Sequence, residues 1–477
     1  MVFKYIGAVL LLDSIFMLIS AVISWFNGMD SGFTPLMLSF FLTAILGIFP
    51  LIFVRRKEQI NAKEGYCIVT GAWLMSCLVG TFPYLLWGGE FDMVNAWFES
   101  VSGFTTTGST ILTDVEALPR SLLFWRASTH WIGGVGIVMF ALAILPALGK
   151  TRMTLYRVEL STLAKDNYRF QTQKIIRILL FVYVGLTFAE ISLLRIAGME
   201  WFDAITHSFS TMATGGFSTK NASIAAFDNV WVEIIISVFS FISGLHFGLI
   251  FTTLIGGHNN VFRSEVARYY FIFTVTGILI MALNLWTTNT YTTFPEALRY
   301  SAFQGVTIIS TTGFATANTN VWPPLSIAIL FMFMIQCACA GSTAGGLKCD
   351  RVLLAAKVFK NKIRQQQHPN AVLRIKLDGV TQDDSTVNFA MLYIVVYLLF
   401  IILGTLICTA CGVDFISSLS ASATSMSNVG PGFGIVGSMD NFSAMPDIGK
   451  LTSSLLMLFG RLEIFGLLQL FMIKWWV

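Results

Sequence analysis

Ser102-Gly103-Phe104-Thr105-Thr106-Thr107-Gly108-Ser109 is a short polar stretch inside a strongly apolar chain. It recurs with variation. Ser210-Thr211-Met212-Ala213-Thr214-Gly215-Gly216-Phe217 is a second copy, and Ser310-Thr311-Thr312-Gly313-Phe314 a third. Ser425-Met426-Ser427-Asn428-Val429-Gly430-Pro431-Gly432-Phe433 is a fourth, weaker one. Aligned on Gly108, Gly215, Gly313 and Gly430, the steps are 107, 98 and 117 residues. We read these as four copies of one unit arranged around one site.

The surrounding chain sets the solvent. Of 477 residues, 55% are hydrophobic and only 12% charged, where a soluble protein of this size would carry about 25%. Mean hydropathy is +0.73. This is the composition of an integral membrane protein, and the net charge of +4 matters less than where the charges sit. The run from Val2 to Phe26 is too long for the h-region of a signal peptide and reads as a first transmembrane helix. The seven Cys residues lie nearly all in apolar stretches, and Cys408-x-x-Cys411 reads as two small hydrophobes rather than a redox or metal pair. The five His residues are scattered without an HExxH pattern, so the sequence predicts no metal site beyond one for a transported ion.

A bilayer core of roughly 30 Å needs about 20 apolar residues per helix. Ten segments qualify: Val2–Phe26, Thr34–Val54, Tyr66–Trp87, Leu122–Leu148, Ile175–Ala197, Val230–Ile255, Val266–Trp286, Leu325 to about Phe359, Phe389–Cys411 and Leu451–Val477. After the opening pair the order is helix, short segment, Thr/Gly loop, helix, four times over. The expected fold is therefore all-α, with an N-terminal helix pair (1–58) and four repeats (59–155, 156–262, 263–378 and 379–477). The short segments Phe91–Gly103, Trp201–Thr211, Phe294–Ile309 and Asp414–Ser425 cannot span a bilayer. They suit re-entrant half-helices, tolerated at membrane depth when the backbone after them is buried in protein or lines a water-filled cavity. Asp92, Glu99, Asp203 and Glu296, at or near their starts, are expected as caps.

Basic residues set the orientation. With the N-terminus inside, 23 of the 30 Lys and Arg fall in Lys4, 55–63, 150–177, 256–268, 348–376 and Lys474, all on the cytoplasmic side. Both termini are then cytoplasmic and all four Thr/Gly loops enter from outside. The polar segments 150–174 and 357–385 could meet anionic lipid or a soluble partner.

A dehydrated monovalent cation needs a ring of oxygens in place of its water shell, and backbone carbonyls of a narrow loop provide one. Turning successive carbonyls to one axis needs backbone angles of alternating hand, which Gly reaches without a Cβ clash. A half-helix ending at the loop directs its negative end at the cation. A single Ser/Thr/Gly turn would be unremarkable, whereas four in phase point to a pore.

With these features the chain resembles the Trk/Ktr/HKT superfamily of potassium transporters over essentially its whole length. Ser-Gly-Phe-Thr-Thr-Thr-Gly in the first loop and Gly-Gly-Phe-Ser-Thr in the second carry the resemblance. So do His130-Trp131-Ile132-Gly133-Gly134-Val135-Gly136-Ile137-Val138, Ala143-Ile144-Leu145-Pro146 and Phe459-Gly460-Arg461-Leu462-Glu463-Ile464-Phe465. The opening helix pair points to the bacterial TrkH branch. The resemblance implies potassium uptake across the bacterial inner membrane, through one pseudo-fourfold filter in a single subunit. Thr106, Thr107, Gly108, Ala213, Thr214, Gly215, Thr311, Thr312, Gly313, Asn428, Val429 and Gly430 would line its ion sites. Gly108, where sodium-passing relatives carry Ser, resembles the potassium-selective pattern. Asn428-Val429-Gly430-Pro431 departs most from the other loops.

The span after the third loop is interrupted by Gly341, Ser342, Thr343, Ala344, Gly345, Gly346 and Lys348. Its glycines each weaken a helix by about 1 kcal/mol relative to Ala. The resemblance implies an intramembrane gate here. Its similarity to a phosphate-binding loop fails on spacing, and no strand precedes it. Arg461 lies about ten residues into the last span, where an unpaired charge costs at least about 2.5–3.5 kcal/mol. The resemblance places it facing the pore below the filter, beside the gate. It further implies a homodimer and a TrkA-type cytosolic nucleotide-binding partner, with potassium as substrate and no cofactor in this chain.

An organic-solute symporter would show inverted repeats with midplane acids, but these repeats run parallel. A membrane enzyme would need clustered His, Asp and Glu, and none stands out. No nucleic-acid-binding feature is seen.

Overall fold

The computed structural model describes residues 2–54, 62–144, 168–257, 260–370 and 373–471. The expectations for residues 145–167, including Leu145-Pro146 and most of the segment 150–174, lie outside the described residues, as do 55–61 and Lys474.

The long helices follow from uninterrupted apolar sequence. They are α1 (Val2–Phe26), α2 (Phe33–Phe53), α3 (Ala62–Gly80) followed by the short α4 (Phe82–Trp87), α6 (Arg120–Ile144), α7 (Tyr168–Ile196), α11 (Glu265–Thr287) and α15 (Asp384–Ala410). Among the described residues, six helices are long and apolar enough to cross a membrane. Their outer faces carry exposed apolar side chains such as Phe41, Ile45, Phe271 and Leu398. In water such surface would be costly, but in hydrocarbon it is the matching solvent. α1 and α2 pack closely because Gly7 and Gly47 face each other; a Cβ on Gly7 would stand 2.6 Å from the Gly47 carbonyl oxygen. α1 is tied to α3 by the Ser76 hydroxyl, which donates to the buried Asp13 carboxylate at 2.6 Å.

Three expected spans are broken. Val230–Ile255 becomes α9 (Val230–Ser243) and α10 (Phe247–Leu254), bent by 104°. Counted as one span, this pair brings the total to seven. Leu325–Phe359 becomes α13 (Pro324–Gln336) and α14 (Cys349–Gln367), with residues 337–348 non-helical between them. The last span becomes α17 (Asp447–Arg461) and α18 (Glu463–Phe471), broken at Glu463 with φ +48°. The helix after the third loop was expected to break; the other two breaks were not. A two-stranded antiparallel hairpin, β1 (Lys376–Leu377) and β2 (Val380–Thr381), also departs from the all-α expectation. Its turn residues Asp378 (φ +47°) and Gly379 (φ +78°) suit a tight hairpin, and the Asp378 carboxylate accepts from the Ser264 hydroxyl at 3.0 Å, beside the start of α11.

The four short segments are helices: α5 (Met93–Phe104), α8 (Trp201–Met212), α12 (Phe294–Ile309) and α16 (Phe415–Ser427). Capping fixes where they start. Asp92 accepts from the Asn95 amide at 2.8 Å and Asp414 from the Ser417 amide at 3.0 Å. Hydrogen bonds from Ser417 hold the Asp414 carboxyl below its ordinary range, so it is ionised at neutral pH. Thr293, not Glu296, caps α12. Glu99 is no cap; it lies inside α5, fully buried. Asp92→Ala and Asp414→Ala should each lower stability by about 1 kcal/mol, read as a drop in the thermal unfolding midpoint of the detergent-solubilised protein. Glu296→Ala should leave that midpoint nearly unchanged.

Candidate functional site: four loops closed into a ring

Each short helix ends in the same way. One or two residues past its end stands a left-handed residue: Thr106 (φ +50°), Thr214 (φ +56°), Thr311 (φ +62°) and Asn428 (φ +55°). The next amide reaches back five residues into the helix. Thr107 donates to Ser102 O at 2.9 Å, Gly215 to Ser210 O at 2.8 Å, Thr312 to Thr307 O at 2.8 Å and Val429 to Thr424 O at 3.1 Å. This is the usual way to satisfy the last carbonyls of a helix. Here, however, three β-branched threonines occupy a conformation that costs them of order 1–3 kcal/mol each.

Two residues past each left-handed position stands a glycine at positive φ: Gly108 (+82°), Gly216 (+83°), Gly313 (+73°) and Gly430 (+106°). A Cβ on Gly108 would stand 1.9 Å from Gly215 O, one on Gly216 2.1 Å from Thr312 O, and one on Gly313 2.0 Å from Val429 O. On Gly430 it would stand 2.7 Å from Thr107 O, so the order of contacts closes on itself. Side chains fasten the seam between the last loop and the first. Asn428 Nδ2 donates to Thr107 Oγ1 at 3.0 Å and to Met457 O at 2.9 Å, and Ser109 Oγ donates to Gly430 O at 2.9 Å.

This geometry corrects the register of the second loop. Gly216, not Gly215, is the counterpart of Gly108, Gly313 and Gly430, and the steps become 108, 97 and 117 residues. Ala213 ends its helix with φ −77° and matches Thr105 rather than Thr106. The pattern Thr-x-Gly-Phe, shared by Thr214–Phe217 and Thr311–Phe314, carries this register in the sequence. Gly215 is small for another reason: a Cβ there would stand 2.2 Å from Nδ1 of the buried His130. That ring stacks on Phe217 with centroids 4.0 Å apart, and its Nδ1 shares a hydrogen bond with Ser210 Oγ at 3.1 Å.

The non-helical residues 337–348 press against the ends of three of the short helices. Thr343 Oγ1 donates to Met212 O at 3.0 Å, and the Gly345 amide donates to Thr311 Oγ1 at 3.0 Å. A Cβ on Gly345 would stand 2.5 Å from Ser427 O. Gly341 (φ +74°) and Gly346 (φ +73°) turn the segment, the Ser342 hydroxyl donates to Cys339 O at 2.6 Å, and buried Lys348 Nζ donates to Ala344 O. Ala344 is buried. Arg461 is buried too, and its guanidinium donates to Thr343 O at 2.7 Å and to Gly133 O at 3.0 Å. It thus bridges the non-helical segment and α6. Glu463, on another face, pairs with Arg351 at 2.8 Å.

A buried ion pair that sequence reading did not find stands behind the first two loops. Arg126 Nε donates to Glu99 Oε1 at 2.6 Å, and Arg126 Nη1 donates to Ser218 O at 3.0 Å. The Arg126 guanidinium lies 3.5 Å from the Phe217 ring centroid. Glu99 also accepts from the Thr110 hydroxyl at 3.0 Å and the Ile111 amide at 3.1 Å. One carboxylate and one guanidinium therefore hold the outgoing strands of both loops. The two residues are 27 apart in the chain, a spacing that carries no local signal.

The chain is thus a helical membrane protein in which four short helices end at one closed ring of loops. Comparison with known proteins identifies which: residues 35–475 match the family model TrkH, described as a cation transport protein, and the chain belongs to that family. It is 36% identical to the Trk system potassium uptake protein TrkH of Escherichia coli K12, over 99% of this chain and 98% of that protein. It is 35% identical to the protein of the same name from Vibrio parahaemolyticus, over 100% and 99%. The crystal structure of the potassium transporter TrkH from Vibrio parahaemolyticus superimposes with a TM-score of 0.89 at 33% identity, covering both chains fully. Membership of a transport family places the chain outside the enzymes.

Arg126→Met would leave the fully buried Glu99 carboxylate without its charge partner. Loss of a partner from a buried pair costs about 3–5 kcal/mol, so thermal unfolding in detergent should shift down accordingly. Arg126→Met combined with Glu99→Gln should recover part of that loss.

Proposed function

We propose that this chain carries potassium into the cell through the ring of loops, which acts as a selectivity filter. The closed contact order of Gly108, Gly216, Gly313 and Gly430 is the observation that carries this reading, because it sets four carbonyl-bearing strands around one axis. The lining residues are Thr106, Thr107, Gly108, Thr214, Gly215, Gly216, Thr311, Thr312, Gly313, Asn428, Val429 and Gly430. Their carbonyls replace the hydration shell of the ion, and the negative ends of α5, α8, α12 and α16 favour a cation beneath them. The names of the relatives support potassium as the cargo. Potassium is the substrate, and the mechanism calls on no cofactor.

Residues 341–348 act as the gate. They close the cytoplasmic end of the ring through Thr343 and Gly345, and Arg461 holds the closed position while placing a positive charge below the filter. Ten spans, arranged as an N-terminal helix pair and four membrane–loop–membrane repeats, complete the architecture, with both termini cytoplasmic in the bacterial inner membrane. The subunit works as a homodimer with a TrkA-type cytosolic nucleotide-binding partner, in line with relatives named for a Trk system.

The test is rubidium-86 uptake into proteoliposomes holding the purified protein. Gly108→Ser and Gly216→Ser should both weaken the preference for potassium over sodium, seen as stronger sodium competition. If neither variant changes competition, the filter assignment is wrong. Arg461→Gln should raise basal rubidium flux by releasing Thr343; flux that stays at the wild-type level would count against the gate.

A further inference from the structure

Cys339 and Cys349 stand at the two ends of the non-helical segment, where α13 gives way to it and α14 begins. The Cys349 thiol donates to the Cys339 sulfur at 3.5 Å. Their backbones are held side by side: the Cys349 amide donates to Ala338 O at 2.9 Å, and the Ala340 amide donates to an Asp350 carboxylate oxygen at 2.9 Å. Both residues are free thiols. Neither Thr/Gly loop nor ring uses them, and packing alone does not need two thiols in contact.

We propose that Cys339 and Cys349 form a covalent modification site, a dithiol that hydroperoxides convert to a disulfide and that thereby locks the 341–348 segment against the filter. The locking part rests on the gate reading given above. Cys339 retains 3% exposure and Cys349 none, so Cys339 is the thiol a small oxidant meets first. Its sulfur attacks the peroxide, the O–O bond breaks, the thiol proton passes to the departing oxygen, and the products are a sulfenic acid and water or an alcohol. Cys349, already in contact, attacks the sulfenic sulfur; the S–O bond breaks and the hydroxyl leaves as water with the Cys349 proton. The two thiols lose two protons and two electrons, and the peroxide takes them up. A dithiol or phosphine reductant reverses the step.

The consequence is mechanical. A disulfide holds its sulfurs about 2.05 Å apart, so α14 can no longer draw away from the end of α13. On the gate reading, residues 341–348 withdraw from Met212, Thr311 and Ser427 by that separation. Cys337, also buried nearby, makes a different contact: its thiol donates to Met334 O at 2.9 Å within its own turn.

The experiment treats proteoliposomes of the full-length protein with hydrogen peroxide. It follows rubidium-86 flux and maps cross-links by peptide mass spectrometry without reductant. The expected result is a 339–349 cross-linked peptide with loss of flux, both reversed by tris(2-carboxyethyl)phosphine. Cys339→Ala and Cys349→Ala should keep their flux under peroxide, while Cys337→Ala should lose it as the wild type does. Because the wild-type reversal needs no variant, a variant that fails to fold leaves the test intact. Absence of the 339–349 peptide under saturating peroxide overturns the site and leaves the gate reading standing. A quantitative cross-link with undiminished flux overturns the lock, while the Arg461→Gln flux measurement decides the gate reading separately.

Discussion

The architecture depends on one close approach repeated four times. A glycine α-carbon in each loop lies against the carbonyl that precedes the glycine of the next loop, with no room for even one added carbon. Packing that tight is stable only when what lies behind each loop is rigid. The surroundings supply this: the buried Glu99–Arg126 pair, His130 stacked on Phe217, and Asn428 bonded to both Thr107 and Met457. Three threonines held at positive φ belong to the same economy. Local strain persists where the neighbours over-determine the backbone.

The same logic joins the ring to the segment below it. The non-helical residues do not hang free; they bond to the end of α8, to a side chain of the third loop and to Arg461. Arg461 brings its charge into a low-dielectric interior, where carbonyl oxygens of Thr343 and Gly133 replace part of its hydration. A change of position in this segment is therefore felt at Met212, Thr311 and α6 together. The 104° elbow between α9 and α10 lies on the same path, since the Phe247 amide donates to Gly341 O at 3.1 Å and the Cys339 amide to Gly244 O at 3.0 Å.

Much of this was legible in the sequence. Apolar length marked α1, α2, α11 and α15 within a few residues. The short aromatic- or acid-headed, Ser-rich segments marked α5, α8, α12 and α16, because a half-helix needs a capped start and small residues at its crowded end. The register of the second loop was not read correctly. Gly215-Gly216 offers two glycines, and the sequence alignment chose the one that His130 demands rather than the one the ring demands. The breaks at Ser243–Phe247 and Leu462–Glu463 were also missed. Neither contains proline; the first holds Gly244 and bonds to Gly341 and Cys339 of the non-helical segment, and Glu463 at the second pairs with Arg351. The role of Glu99 has no local signal, because its partner Arg126 comes from the following helix.

By itself the sequence determined the solvent, the order of the apolar segments, and the recurrence of one Thr/Gly unit. Those properties are written in composition and in local spacing, where each residue's contribution is its own. The tertiary structure decided which glycine of a pair carries the turn, where a long helix breaks, and which charges meet in the interior. These follow from contacts between residues up to some three hundred positions apart, such as Asn428 with Thr107 and Arg461 with Gly133. A glycine marks each tight contact of the ring in the local sequence, but only the fold shows which carbonyl it meets.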